Sequence, residues 1–166
     1  MSQRPAPAAV APGQESVWSY PRPPVLRPTA ERITVVLGGV TICETRSSLQ
    51  VLETSHPPTY YLPRSSFVAG SLRMAEGHSF CEWKGVASYL DVLGATEVAS
   101  RAAWYYPTPT VPFAALIDHV ALYPGAMDAC FVDGEPVTPQ PGGFYGGWVT
   151  SKVAGPFKGV PGSSGW

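Results

Sequence analysis

The sequence predicts a mainly β fold: a small single-domain β-barrel or β-sandwich with one short helix and extended Pro/Gly-rich arms. Three observations carry this. First, 19 Pro and 17 Gly in 166 residues interrupt every long helical period, since proline lacks the N–H that a helix interior needs and glycine favours turns. Second, short apolar stretches rich in Val, Ile, Tyr and Trp recur between turn signals, as small β domains require. Third, 166 residues suffice for one hydrophobic core and are too few for two ordinary domains.

Taken in order, residues 1–13 are Pro/Ala-rich with little to bury and are expected to be a disordered N-terminus. Residues 14–31 form an extended arm. Its prolines exclude a central strand, while Trp18 and Tyr20 are costly to leave in water. Residues 32–137 are the expected β core. RITVVLGGVTICET reads as a hairpin around Gly38-Gly39, with Ile33, Val35 and Leu37 on one face. A strand follows at TYYL (59–62), and SFCEWKGVASYLDVL (79–93) reads as one long or bent strand with Gly85 at the bend. Its alternation groups Cys81, Trp83, Ala87 and Tyr89 on one face, with Glu82 and Lys84 on the other. The helix is placed at VPFAALIDHV (111–120) with Thr110 as N-cap, ahead of strands at VALY and MDACFVDG. Asp133-Gly134 signals a final hairpin. Residues 138–166 are a Pro/Gly/aromatic-rich tail whose rings favour docking on the core or on the partner subunit of a homodimer. Trp18-Ser-Tyr20-Pro21-Arg-Pro23 and Trp104-Tyr-Tyr106-Pro107-Thr-Pro109 repeat one pattern, read as an aromatic-anchored arm used twice.

Composition bounds the function. Charged residues are 14% of the chain and the formal net charge is −1, which lacks the basic surface that nucleic-acid binding demands. No apolar stretch reaches the roughly 20 residues that span a bilayer, and the first residues lack a signal-peptide core, so no membrane association and a cytoplasmic location are expected. Three cysteines, Cys43, Cys81 and Cys130, are widely spaced with no CxxC pair, which argues against a disulfide framework or a structural zinc site. No metal and no cofactor are expected.

The densest set of reactive groups runs from Glu53 to Lys84. Glu53 and His56 can form a carboxylate–imidazole pair for acid–base work, and Lys84 can hold an anion or, with a depressed pKa, attack a carbonyl. Glu82 on the same strand face favours the charged lysine. The catalytic set is therefore Glu53, His56 and Lys84, and the ligand-binding set Tyr60, Tyr61, Glu82, Trp83, Tyr89 and Trp104. Cys81 reads as a small core hydrophobe, because nothing basic shares its strand face.

The motifs LETSHPPTYYLP (52–63), SFCEWKGVASY (79–89), AAWYYPTP (102–109), PQPGGFYGGW (139–148) and GPFKG (155–159) resemble the family of domain of unknown function 427, in the long form common in actinobacteria. The resemblance implies a mostly β fold with no established activity, although members are sometimes labelled nucleotidyltransferase. The chain carries neither a Gly-Ser with a D-x-D carboxylate pair nor a G-x-x-x-x-G-K-[ST] loop. Three functions are carried forward: a cofactor-independent enzyme acting on a small polar or carbonyl-containing metabolite, a non-catalytic small-ligand-binding or interaction module, and nucleotide binding or nucleotidyl transfer on the family label alone.

Overall fold

The computed structural model describes residues 4–166. The core strands are β1 (Val25–Thr29), β2 (Ile33–Leu37), β3 (Val40–Thr45), β4 (Ser48–Leu52), β5 (Thr59–Pro63), β6 (Leu72–Cys81), β7 (Gly85–Gly94), β8 (Glu97–Tyr105), β9 (His119–Leu122), β10 (Ala129–Val132) and β11 (Glu135–Pro136). They form a seven-stranded sheet in the order β1-β4-β5-β9-β8-β7-β6 and a four-stranded sheet in the order β11-β10-β2-β3. Both sheets are open, so the sandwich-like alternative holds and the closed barrel does not.

Strand alternation gives each sheet its core face. Ile33, Val35 and Leu37 on β2 are all at most 2% exposed. Between the sheets they meet Tyr60 and Leu62 of β5, Leu90 and Val92 of β7, and Val120 and Leu122 of β9. The intervening residues point the other way. Tyr61, Ala87, Ala121 and Val51 form a second cluster on the outer face of the larger sheet, roofed by Phe113 and Leu116. Thus the centre of the seven-stranded sheet is buried on both faces, which explains why β5 and β9 read as nearly continuous apolar runs.

The Gly38-Gly39 hairpin forms as expected, with positive φ at both residues (61° and 75°), and Asp133-Gly134 closes β10 onto β11. Three expectations change. The segment 79–93 is a hairpin rather than one strand: Cys81 pairs with Gly85, and Glu82-Trp83-Lys84 is the turn, because Gly85 at φ 105° reverses the chain where a bend was expected. The short helix is a kinked 3₁₀ segment, Val111–Leu116. Its Thr110 gives no cap; the hydroxyl donates instead to the Trp83 carbonyl. The repeated W-x-Y-P-x-P pattern takes two local forms, Trp18 lying in a 3₁₀ turn and Trp104 on β8. β4, β8 and the first part of β6, for which the pattern gave no signal, complete the sheet, and Val25–Thr29 of the expected arm joins it as the edge strand β1.

The arm and the tail meet across the body. Glu15–Ser16 pairs in parallel with Val153–Ala154, and the Trp18 indole N–H donates to the Pro156 carbonyl at 2.9 Å. Residues 1–3 of the expected disordered N-terminus lie outside the described residues. Beyond them, the Ala8 N–H donates to the Gly155 carbonyl at 2.8 Å. The deepest tail residue is Trp148, 1% exposed and 4.8 Å from the Tyr60 ring centroid. Its indole N–H has no hydrogen-bond partner, so packing alone holds the side chain. We predict that Trp148→Ala costs about 3–5 kcal/mol in urea denaturation, and that Trp148→Phe, which forfeits no hydrogen bond, costs less than half as much.

Candidate functional site

On the outer face of the seven-stranded sheet a cleft of about 460 Å³ opens between the β6–β7 turn, the Glu53–His56 turn and the tail. β5 supplies Tyr61 to its floor and β8 supplies Trp104, whose indole N–H donates to the Tyr61 hydroxyl at 3.2 Å. Tyr123 stacks at a tilt on Trp104, 4.7 Å between centroids. Trp83, Tyr89 and Tyr106 complete the aromatic wall.

The β6–β7 turn delivers Lys84 into this space. The turn is latched from below, since the Thr110 hydroxyl donates to Trp83 O and the Thr110 N–H to Lys84 O. The ammonium lies 5.8 Å from the Tyr106 ring centroid and 5.9 Å from that of Phe113. Among the described residues no carboxylate comes within 4.0 Å of it. Burial opposes its charge, but its surroundings, the negative charge of Glu53 among them, outweigh burial and hold its pKa above the usual lysine value. Lys84 is therefore a cation at neutral pH, without the Glu82 partner expected on a common strand face: Glu82 sits in the turn and is exposed.

Facing it is the Glu53–His56 turn, closed by the His56 N–H donating to Glu53 O at 3.0 Å. Its middle residue, Ser55, takes a positive φ of 73°. Glu53 is engaged by Arg22 at 3.2 Å and stands 4.0 Å from His56 Nε2. The tail fixes the imidazole. Gln140 Oε1 accepts from the Gly147 N–H, and its Nε2 donates to Lys158 O at 2.9 Å and faces His56 Nδ1 at 3.0 Å. With the amide so oriented, Nδ1 must accept and Nε2 must carry the proton, aimed at Glu53 and the cleft. Burial, opposed by Glu53, lowers the His56 pKa to about 4. The ring is thus a neutral donor at physiological pH.

Two glycines let the tail approach this closely. A Cβ on Gly146 would come within 2.3 Å of the Trp104 ring, and one on Gly147 within 2.4 Å of Gln140 Oε1. Tyr145, edge-on to His56 at 4.9 Å, and Phe144 then form the rim.

Of the residues selected from sequence, Glu53, His56, Tyr61, Glu82, Trp83, Lys84, Tyr89 and Trp104 all border the cleft. Tyr60 does not: it alternates to the opposite face of β5, where its hydroxyl donates to Glu31 at 3.0 Å. Cys81, expected as core, is half-buried on the cleft wall beside Lys84, because the hairpin turn brings the two together. Cys43 and Cys130 are the true core thiols, 1% and 2% exposed, and burial raises their pKa to about 11 and about 12. Sequence reading missed Arg22, Tyr123, Gln140, Tyr145 and Lys158 as contributors. Only the W-x-Y-P repeat and the aromatic density of the tail hinted at some of them. No group of three or more metal-ligating side chains is found among the described residues.

A profile described as domain of unknown function DUF427 matches residues 25–133. The chain belongs to this family. A search of curated proteins returns no match. The matched region of this DUF427 protein contains the aromatic floor, the Glu53–His56 turn and Lys84, whereas Gln140, Tyr145 and Lys158 lie beyond it. The wall that orients His56 therefore lies outside the matched region.

The neutral imidazole gives a pH signature. A histidine whose folded pKa lies below its unfolded value favours the native state only while unprotonated, so stability is lost as pH falls from about 6.5 towards about 4. We predict a fall in melting temperature across this window that shrinks in His56→Asn, read by thermal melts at matched ionic strength.

Proposed function

We propose that the cleft is a small-molecule recognition site. The observation that carries this reading is the Lys84 ammonium, held largely out of water in an aromatic cleft and, among the described residues, with no carboxylate within 4.0 Å of it. An unpaired, partly buried charge is costly, and a ligand that supplies the missing counter-charge recovers that cost on binding. The volume of about 460 Å³ falls within the range of ordinary ligand pockets, and the mix of aromatic walls with a few convergent polar groups is their usual composition.

The same geometry favours recognition over acid–base catalysis. A general base works best with a pKa near the operating pH, while His56 is held near 4 with Nδ1 occupied by Gln140. Its free Nε2–H is suited to donating to a ligand oxygen. Glu53 is committed to Arg22. Schiff-base chemistry at Lys84 needs a neutral amine at working pH, and the raised lysine pKa opposes it. Nucleotide binding has no support beyond the family label, because a triphosphate needs several cations or a nest of backbone N–H groups, and the inner cleft offers one lysine.

The expected result of a thermal-shift screen of small metabolites is a saturable stabilisation of about 2.7 kcal/mol at 100 times the dissociation constant. The shift should vanish in Ser79→Trp, which places an indole at the cleft mouth. A shift of the same size in that variant, with its melting temperature otherwise unchanged, would show that binding lies elsewhere.

A further inference from the structure

Resting on the recognition reading, the geometry points to one ligand class: we infer that the cleft takes a flat, conjugated or aromatic monocarboxylate, bound with its carboxylate inward on Lys84 and an acceptor oxygen outward on the Nε2–H of His56. Charge and shape lead there independently.

The charge argument rests on counting cations that are still free to pair. Arg22 is engaged by Glu53 and by Thr54 O. Lys158 lies at the rim, where its Nζ donates to Trp166 O at 3.1 Å. Among the described residues only Lys84 borders the inner cleft without such a partner, and it sits beside the Tyr61 hydroxyl and the Cys81 thiol. One cation with neighbouring neutral donors matches a single negative charge. A phosphate monoester carries about 1.5 to 2 negative charges and would leave part of that charge unpaired in a desolvated site. An amine would meet the lysine as a like charge.

The shape argument rests on the walls. Trp83, Tyr89, Trp104 and Tyr106 present ring surface around the ammonium, and Trp104 is pinned by Tyr123 at 4.7 Å and edge-on by Tyr61 at 6.5 Å. Rings held this firmly cannot close on a flexible chain, but they accept a planar body with little entropy loss. At the outer end the fixed imidazole offers a donor, so the distal group is an acceptor, and the nearby Glu53 carboxylate disfavours a second anion there.

The thiol of Cys81 makes the assignment testable, since it lies on the cleft wall while Cys43 and Cys130 are buried. Alkylation of Cys81 by iodoacetamide, followed by intact-protein and peptide mass spectrometry, is measured against benzoate, benzamide, benzylamine and phenyl phosphate. Benzoate is expected to protect Cys81 at a concentration at least tenfold lower than the other three, and the preference over benzamide is expected to vanish in Lys84→Met. If benzamide, benzylamine or phenyl phosphate protects as well as or better than benzoate, or if Lys84→Met keeps the preference, the ligand class is wrong while the recognition site stands. If no probe slows alkylation, or if Ser79→Trp leaves protection unchanged, the recognition reading itself fails.

Discussion

In a sheet with solvent on one side, alternate residues along each strand are polar. Here the centre of the seven-stranded sheet is covered on both sides, and the constraint appears in three consecutive residues of β5: Tyr60 and Leu62 enter the core between the sheets, while Tyr61 enters the cleft floor. The floor is as rigid as the core behind it, because a shift of β5 would disturb both. Rigid support of this kind gives Trp104 and Tyr61 their fixed geometry, and it allows a buried polar contact such as Trp104 to Tyr61 to survive.

The rest of the site is draped on that floor by segments with little regular structure. Thr110 ties the β6–β7 turn down, and Gly146-Gly147 lets the tail lie against Trp104 and Pro57. Gln140, 3% exposed, uses all its polar groups to join the tail to His56, Gly147 and Lys158. A buried amide with every group satisfied fixes its neighbours, so one tail residue decides the tautomer of a histidine 84 positions away. The chemistry of the cleft follows from these constraints: a cation that stays charged, an imidazole that stays neutral and a carboxylate that is already paired.

Much of this was legible beforehand. Periodicity of two located β2, β3 and β5, and Gly38-Gly39 and Asp133-Gly134 fixed two hairpins, because positive φ leaves few residue choices. The run from Glu53 to Lys84 was found from residue types alone. β4 and β8 were not, since the polar residues of SLQVL, Ser48 and Gln50, are themselves buried, EVASRAAWY lacks clean alternation, and a bulge at Arg101, with φ 50°, breaks the register of β8. The turn at Glu82–Lys84 was hidden for a related reason: three residues with strand-like neighbours on both sides look like strand until their pairing partners are known.

The sequence by itself determined that the chain is mainly β and that its strands alternate core and outer faces, and it picked out Glu53, His56, Tyr61, Trp83 and Lys84, which all border the cleft, since all of these depend on local pattern and residue type. Only the tertiary structure decided that Cys81 belongs to the cleft and Tyr60 to the core, that Glu82 does not neutralise Lys84, and that the tail supplies the wall that holds His56. Each of those depends on which face of a paired strand a side chain takes, or on contacts between residues far apart in the chain, and neither is written in local spacing.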